Sequence, residues 1–253
     1  MSLPLRIGSA EDRLAWLREQ LTTHGFVAIA DASSALGVSE MTVRRDLAEL
    51  EEQGAARRVR GGARPVGPQT VAQRRDRMGR AKARVATKLL GLVPEAGAVA
   101  FDASTTIMRL ATNISHARDL TVVTNGPETF AALQAVPGVS PLLTGGRLDA
   151  RTGSLVGPLA CRTAEQLAVQ RLFLSAAALD LDHGTLEETL DEAEVKRSLA
   201  RGADEVVLAL DSSKLASRAL ATGIGWSRID LLVTELEPGD ELLAPFRDRV
   251  VVL

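Results

Sequence analysis

Hydroxyl, amide and glycine residues stand directly after three consecutive apolar runs of this chain. Asp102-Ala103-Ser104-Thr105-Thr106 follows the first run, Thr124-Asn125-Gly126 the second, and Thr144-Gly145-Gly146-Arg147 the third. Small hydroxyl residues that open a helix leave backbone N–H groups free, and such groups bind phosphate with help from the helix dipole. Because Ser and Thr cap many helices that bind nothing, the prediction of an anion site depends on the convergence of several such strings.

Charged residues further along the chain could instead transfer protons. Asp182 follows another apolar run, and Glu192 and Lys196 lie four residues apart in a helical segment. A carboxylate and an ammonium group perform this chemistry in isomerase-type reactions. The simpler alternative is that Glu188, Glu192 and Lys196 pair at i,i+4 on one helix face. A further polar string, Asp211-Ser212-Ser213-Lys214, also follows an apolar run and adds an ammonium group.

Strands and helices alternate in the part of the chain that carries these residues. Short apolar runs predict strands at 98–101, 120–124, 139–144, 172–176, 206–210, 229–233 and 250–253. Helical patterns predict helices at 78–90, 106–113, 127–136, 158–168 and 187–201. Short buried strands separated by helices indicate an α/β domain with a mainly parallel sheet, and ligands bind such sheets at the carboxyl ends of the strands.

A stretch near the amino terminus indicates nucleic-acid recognition. Ser39 is a good N-cap for a helix in which Val43, Leu47 and Leu50 form one apolar stripe. The outer face and its flanks carry Met41, Thr42, Arg44 and Arg45. Such a face fits a major groove, where Arg hydrogen-bonds guanine and Thr or Met contacts a thymine methyl group. The alternative is an ordinary amphipathic helix with solvated arginines.

The flanking segments favour the DNA-binding interpretation. Upstream, a helical pattern at 13–21 and a shorter element at 26–36 precede the turn residue Gly37, which is helix-turn-helix order. Downstream, 54–64 predicts two short strands around Gly61-Gly62. This predicted wing would meet phosphates or the minor groove through Arg57, Arg58 and Arg60.

Charge is distributed unevenly along the chain. The net charge is −2, yet eleven Arg or Lys residues lie between Gln53 and Lys88 against one acid, Asp76, which leaves −12 for the remainder. Such asymmetry is expected when one region meets a polyanion and the other does not. A solvated linker followed by the polar face of a helix is the alternative for the part from Arg74 onward.

Length and composition predict a two-domain cytoplasmic protein. At 253 residues with 45% hydrophobic content, two domains are expected. Together with the patterns above, this gives a flexible tail at 1–9, a DNA-binding domain at 10–66, a linker at 67–80 and an effector-binding and oligomerisation domain at 81–253. The single Cys161 excludes an intrachain disulfide, and no histidine has metal-ligand spacing, so neither a metal nor a cofactor is expected. No apolar run approaches the roughly 20 residues of a membrane span.

The DNA-binding segment resembles a known family. Its marks are Val-Ser-x-x-Thr-Val-Arg-Arg-Asp-Leu at 38–47, Leu-Glu-x-x-Gly at 50–54 and Arg-Val-x-Gly-Gly-Ala at 58–63. Together they resemble the winged-helix signature of the DeoR family of bacterial transcriptional repressors. Arg60 departs from the family pattern, which usually has His there, and this could change how the wing meets DNA.

The later strings resemble the sensor domain of the same family. The matching segments are Asp102–Thr106, Thr124-Asn125, Gly145-Gly146, Val156–Pro158, Glu192–Lys196 and Asp211–Lys214. Ser104 stands where the family has Gly, and its side chain could change how closely a phosphate approaches the backbone. An effector that differs from those of the family therefore stays an alternative. The resemblance covers roughly 10–253 and implies a winged helix-turn-helix domain followed by a mainly parallel α/β sensor domain similar to sugar-phosphate isomerases.

The resemblance implies a repressor of carbohydrate metabolism genes that a phosphorylated sugar or a related metabolite releases from a double-stranded DNA operator. Because one winged helix covers only a short half-site, a homodimer or tetramer is expected. The alternative is a sugar-phosphate isomerase-like enzyme with an appended DNA-binding module. An enzyme does not need the complete winged-helix signature, so the signature favours the regulator. No catalytic residue is therefore assigned.

Overall fold

The chain divides into two compact units, Met1–Arg77 and Met78–Leu253. The structure, a computed structural model, describes residues 9–53, 55–65, 74, 78–215 and 217–253. Most of the predicted tail and linker, namely residues 1–8, 67–73 and 75–77, lies outside the described residues. The described end of the predicted linker, Gly79-Arg80, already belongs to a helix. No helix within the described ranges is long and apolar enough to cross a membrane.

The described part of the first unit consists of three helices and a small antiparallel sheet. Its elements are α1 (Ala10–His24), β1 (Val27–Ala28), α2 (Ile29–Leu36), α3 (Glu40–Glu52), β2 (Ala56–Val59) and β3 (Gly62–Pro65). Ser9 and Ser39 cap α1 and α3, and Gly25 and Gly37 end α1 and α2 in the left-handed conformation that favours glycine. The strand order is β1-β3-β2, so β2 and β3 form the wing hairpin. Its turn is Arg60-Gly61 rather than the predicted Gly61-Gly62, because Gly62 already pairs with Val59.

A seven-stranded parallel sheet forms the centre of the second unit. Its strands are β4 (Ala96–Phe101), β5 (Asp119–Thr124), β6 (Val139–Leu143), β9 (Val169–Leu174), β12 (Ala203–Ala209), β14 (Leu231–Val233) and β15 (Val251–Val252). They lie in the order β15-β14-β12-β9-β4-β5-β6. Every pairing is parallel, as the alternation of short apolar runs and helices predicts.

Helices cover both faces of this sheet. They are α4 (Gly79–Leu90), α5 (Thr105–Ala111), α6 (Pro127–Leu133), α7 (Pro158–Glu165) and α8 (Leu190–Arg201). On one face, α7 and α8 pack on residues such as Ala100 and Leu172. On the other, α4 and α5 pack on the alternate residues, among them Phe101 and Phe173, whose rings meet edge to face at 5.3 Å. Because both faces are covered, successive residues of a central strand, such as Ala100 and Phe101, are both buried.

Small antiparallel elements that the sequence did not predict lie beside the main sheet. They are the hairpin β7 (Arg147–Asp149) with β8 (Ser154–Val156), and the sheet of β10 (Ala178–Asp180), β11 (Gly184–Glu187) and β13 (Ala221–Thr222). The prediction of a helix from Glu187 is wrong, since Glu187 ends β11 and α8 begins three residues later. The N-cap of α8 is Thr189, whose side chain accepts a hydrogen bond from the Glu192 N–H.

Candidate functional site

Helix α3 presents an exposed basic face. Its N-cap Ser39 accepts a hydrogen bond from the Thr42 N–H at 3.2 Å, while the apolar stripe on the opposite side is fully buried. Met41 is 72% exposed, and Arg44 and Arg45 are also exposed. Arg44 reaches Glu40 at 3.5 Å, whereas Arg45 has no hydrogen-bond partner in the described part of the chain. The residues predicted to read bases therefore share one accessible face.

A partly buried ion pair joins α3 to α1. The Arg13 Nε donates to Asp46 Oδ2 at 2.8 Å, and a second Arg13 nitrogen donates to Oδ1 at 3.2 Å. The hydrogen bond to Asp46 raises the pKa of Arg13. This two-point contact fixes how α3 sits on the domain. The sequence analysis missed it, although a buried acid within a basic helix was an available signal.

The wing arginines differ in whether their side chains are held by a carboxylate. The backbone N–H and Nε of Arg58 donate to Glu51 at 2.8 and 2.5 Å, which lowers the pKa of that carboxylate. Arg57 and Arg60 are exposed and have no hydrogen-bond partner among the described residues. The two glycines of the wing have backbone roles: Gly61 has φ +83°, and Gly62 is buried where a Cβ would lie 2.0 Å from the Val27 carbonyl oxygen.

In the second unit, the carboxyl ends of neighbouring strands meet at Asp102. This residue follows β4 and is fully buried. Its Oδ1 accepts from the Ser104 N–H at 3.0 Å, and its Oδ2 accepts from the Ser175 N–H at 3.0 Å, directly after β9. Adjacent parallel strands bring these loops together, as the sheet order requires. Asp102 thus ties the two strand ends to each other.

Lys196 of α8 is buried among carboxylates. Its Nζ lies 2.7 Å from Glu187 Oε2 and 3.4 Å from Asp102 Oδ2, and it donates to the Ser175 carbonyl at 2.8 Å. The alternative of an i,i+4 ion pair with Glu192 is not what the fold forms, because the carboxylates that Lys196 contacts come from β11 and the loop after β4. Burial lowers the pKa of Lys196, but Glu187, Asp102 and Glu192 outweigh burial and raise it above its ordinary value.

Glu187 is a member of this group that the sequence analysis missed. Burial raises the pKa of Glu187 to about 7, and the repulsion from Glu192 and Asp102 adds to burial against the attraction of Lys196. Its Oε1 accepts no hydrogen bond from any described residue. The sequence pattern gave no sign of this role, because it placed Glu187 at the start of a helix and not at the end of β11.

A second set of hydrogen bonds connects the residue after β5 to β8, and β8 to the helix that carries Lys196. Asn125 is buried and its Nδ2 donates to the Leu155 carbonyl at 3.2 Å, which leaves its Oδ1 without a partner among the described residues. Ser154, the neighbour of Leu155 on β8, donates to Glu192 Oε1 at 3.4 Å. Asn125, Ser154 and Glu192 thus belong with Lys196 and Glu187 in what we call the strand-end cluster.

The predicted phosphate loop lies beside the strand-end cluster. Ser104 has φ −74° and caps α5 by accepting from the Ile107 N–H, so this backbone does not require the family Gly. Its N–H is already used by Asp102. Thr105 and Thr106 are buried, and Lys82 of α4 donates to Thr105 Oγ1 at 3.0 Å. Lys82 is a further ammonium group that the sequence analysis did not assign to this region.

The remaining predicted residues lie in other surroundings. Asp182 is exposed in the turn between β10 and β11, where its N–H donates to Asp180. Arg147 is exposed and pairs with Asp191 at 2.6 Å. Thr124 is buried and its Oγ1 accepts from the Gly126 N–H. Gly145 and Gly146 have positive φ, and Lys214 ends the 3₁₀ turn Ser212–Lys214 after β12.

No group of His, Cys, Asp and Glu side chains among the described residues could hold a metal ion. Polar side chains at the strand ends thus offer ammonium and hydroxyl donors together with carboxylate and amide acceptors. Such a set is suited to binding a polar small molecule, while α3 and the wing are suited to a polyanion.

Family comparisons agree with both parts of this arrangement. The model described as "DeoR-like helix-turn-helix domain" matches residues 13–69, and the model described as "DeoR C terminal sensor domain" matches residues 78–236. The chain belongs to the DeoR family. Its DeoR sensor match includes the whole strand-end cluster, and its DeoR helix-turn-helix match includes α3 and the wing.

Curated DeoR-type relatives are similar to the chain over most of its length. The HTH-type transcriptional regulator GlpR of Haloferax volcanii is 36% identical over 82% of this chain and 82% of that protein. The transcriptional repressor AccR of Agrobacterium fabrum is 32% identical over 90% of each chain, and the putative aga operon transcriptional repressor of Escherichia coli O157:H7 is 31% identical over 94% and 91%. These similarities identify the chain as a transcriptional regulator and do not support the enzyme alternative.

Solved structures resemble the chain only distantly. Ribose 5-phosphate isomerase A of Methanocaldococcus jannaschii shares 13% identity over 53% of each chain with a TM-score of 0.38. The tetrameric eIF2B-beta2-delta2 complex of Chaetomium thermophilum shares 13% identity over 95% of this chain and 88% of that chain with a TM-score of 0.46. The strand pairings of the chain itself establish the parallel α/β architecture of the second unit.

Proposed function

We propose that this DeoR regulator is a cytoplasmic repressor of carbohydrate metabolism genes that binds a double-stranded DNA operator through α3 and the wing. The observation that carries the proposal is the exposed face of α3, where Met41, Arg44 and Arg45 stand clear of the core. Arginine side chains on such a face hydrogen-bond guanine edges. Arg57 and Arg60 would neutralise backbone phosphates from the wing.

The proposed repressor acts as a homodimer or tetramer. One recognition helix reads a few base pairs, so useful affinity requires two helices on related half-sites. Closed symmetry then relates the copies, and residues 81–253 are the proposed oligomerisation domain. A duplex selected from random sequence by the full chain should accordingly contain two related half-sites.

Replacement of Arg45 by Ala should lower affinity for the selected duplex by about 1–3 kcal/mol and relax its sequence preference. Arg57→Ala should instead weaken all duplexes alike and reduce the salt slope by about one. Arg58→Ala should change affinity less than Arg57→Ala, because Glu51 already holds the Arg58 guanidinium. Fluorescence anisotropy at several salt concentrations measures these effects.

The control for this experiment is Arg162→Ala, which removes the same charge from an exposed position in the second unit. It should leave DNA binding unchanged. Equal affinity of the wild-type chain for the selected and a scrambled duplex at physiological salt would rule out base reading by α3.

The proposed effector is a phosphorylated sugar or a related anionic metabolite bound at the strand ends. Two observations support it: Lys82 brings a buried ammonium group to Thr105 at the start of α5, and the loops after β4 and β9 lie at the edge where parallel sheets bind ligands. Binding can alter operator affinity only if the effector favours one arrangement of the winged helices.

A saturating effector should therefore lower operator affinity about 5- to 150-fold, which is the usual range of allosteric coupling. Titration of the chain–operator complex with sugar phosphates, followed by anisotropy, measures this release. A sugar phosphate that binds the chain by calorimetry yet leaves operator affinity unchanged is not the effector of a repressor. A rise in operator affinity would make it a co-repressor and overturn the proposed direction.

A further inference from the structure

Two buried oxygen atoms of the strand-end cluster accept no hydrogen bond from any described residue. They are Oε1 of Glu187 and Oδ1 of Asn125, and the two side chains are only 1% and 2% exposed. Native proteins pair nearly all buried polar atoms, because an unsatisfied acceptor destabilises the folded state. Two such atoms in one cluster point to donors supplied from outside the chain.

The orientation of both side chains is determined by their other contacts. Glu187 Oε2 is held by Lys196 at 2.7 Å, so Oε1 is the free atom of that carboxylate. Asn125 donates through Nδ2 to the Leu155 carbonyl, so its remaining polar atom must be an acceptor. When Glu187 is ionised, the two side chains therefore offer acceptors and no free donors.

Charge limits which donors are compatible. The strand-end cluster contains the carboxylates of Glu187 and Glu192, and the Asp102 carboxylate lies beside it; Lys196 contacts Glu187 and Asp102. Even with Lys82 of α4 counted, three carboxylates stand against two ammonium groups. A phosphate or carboxylate placed against Glu187 would meet repulsion at low dielectric, whereas a hydroxyl group would not.

We infer that Glu187 Oε1 and Asn125 Oδ1 accept hydrogen bonds from hydroxyl groups of a polyhydroxylated ligand, so that the strand-end cluster binds the sugar end of the effector and not its phosphate. This inference rests on the proposed function and names the chemistry of the ligand at that site. The ligand carries at least two hydroxyl donors, and any phosphate it has lies away from Glu187.

The titration of Glu187 gives this arrangement a pH dependence. The charged groups that face it are Lys196 and Glu192 from α8 and Asp102 from the loop after β4, and burial raises the pKa of Glu187 to about 7. A hydroxyl that donates to Oε1 favours the ionised carboxylate. Hydroxyl recognition should therefore strengthen as the pH rises through about 7.

Calorimetry on the full wild-type chain tests the inference with D-ribose 5-phosphate, D-glucose 6-phosphate and analogues of each that lack one hydroxyl. For at least one parent, loss of a hydroxyl should weaken binding at least tenfold, the effect of losing a hydrogen bond to a charged group. The parent-to-analogue ratio should increase from pH 6 to pH 8. Both ligands carry the same phosphate, so its own titration cancels in the ratio.

Glu187→Gln removes the charge of the proposed acceptor, and Glu188→Gln is the matched control on the half-exposed neighbour. In the folded Glu187→Gln variant, the parent should bind at least tenfold more weakly and the ratio should lose its pH dependence. Glu188→Gln should behave as wild type. If Glu187→Gln does not fold, the wild-type ratio and its pH profile decide alone.

Three results would overturn the inference. They are equal binding of parents and analogues across the pH range, an unchanged ratio in folded Glu187→Gln, and no binding by any of these sugar phosphates. Operator binding measured on the same preparation separates this failure from that of the proposed function. A chain that binds its selected duplex but ignores hydroxyl groups remains a DNA-binding regulator with a different ligand.

Discussion

Replacement of Lys196 by Met should lower the free energy of unfolding of the second unit by about 3–5 kcal/mol, the usual cost of leaving buried charges without their partner. Lys196 is only 6% exposed and lies within 3.4 Å of Asp102 and 2.7 Å of Glu187. Without the ammonium group, these buried carboxylates repel one another. Methionine keeps most of the side-chain volume, so little of the loss comes from a cavity.

Urea unfolding in a Trp16→Phe background measures this change, because Trp226 is then the sole tryptophan and reports on the second unit. Arg147→Met is the matched control: it breaks an exposed ion pair, whose loss costs about 0–1 kcal/mol. Adding Glu187→Gln to Lys196→Met should restore part of the stability, since it removes one orphaned charge. A loss no larger than that of Arg147→Met would show that the cluster is solvated.

Gly62→Ala should destabilise the first unit by about 3 kcal/mol, the upper end of the range for overpacking. A Cβ on Gly62 would lie 2.0 Å from the Val27 carbonyl oxygen and 2.8 Å from the Phe26 ring. The contact with Val27 is to backbone, so β1 and β3 would have to move apart. Because β3 is the inner strand of the wing, DNA affinity should fall for all sequences alike.

Gly61→Ala provides the comparison within the same turn. Its φ of +83° strains any other residue, but a Cβ there meets nothing within 4 Å. The expected cost is about 1–2 kcal/mol, from backbone strain alone. Urea unfolding in a Trp226→Phe background, with Trp16 as reporter, measures both variants. If Gly61→Ala is the more destabilising variant, the close approach at Gly62 is not what the wing requires.

The sequence alone was sufficient for α3 and its surroundings. Ser39, the apolar stripe and Gly37 are signals that lie within one turn of the element they define, so the boundaries of α3 follow from local patterns. The order of helices and apolar runs likewise predicted a parallel sheet, which the strand pairings confirm. The DNA-contact residues stay a prediction, supported by their exposure.

Lys196 shows where such patterns fail. Spacing alone offered Glu192 as its partner, and the fold supplied Glu187 and Asp102 instead. A partner so far along the chain can be known only once the strand order is known, because β4 and β9 become neighbours through the crossover connections between them. Asp182 lies in an exposed turn between β10 and β11, and its predicted contact with an effector stays a prediction.

The sequence by itself determined the family and the helix-turn-helix unit, and it predicted the strand ends at which a ligand binds, because caps, glycines and periodicity act over a few residues. Only the tertiary structure decided which polar groups at those ends share one buried cluster and which of their atoms lack partners. Burial and repulsion depend on everything packed around a side chain. For that reason only the folded chain shows that Oε1 of Glu187 and Oδ1 of Asn125 lack partners within its described ranges.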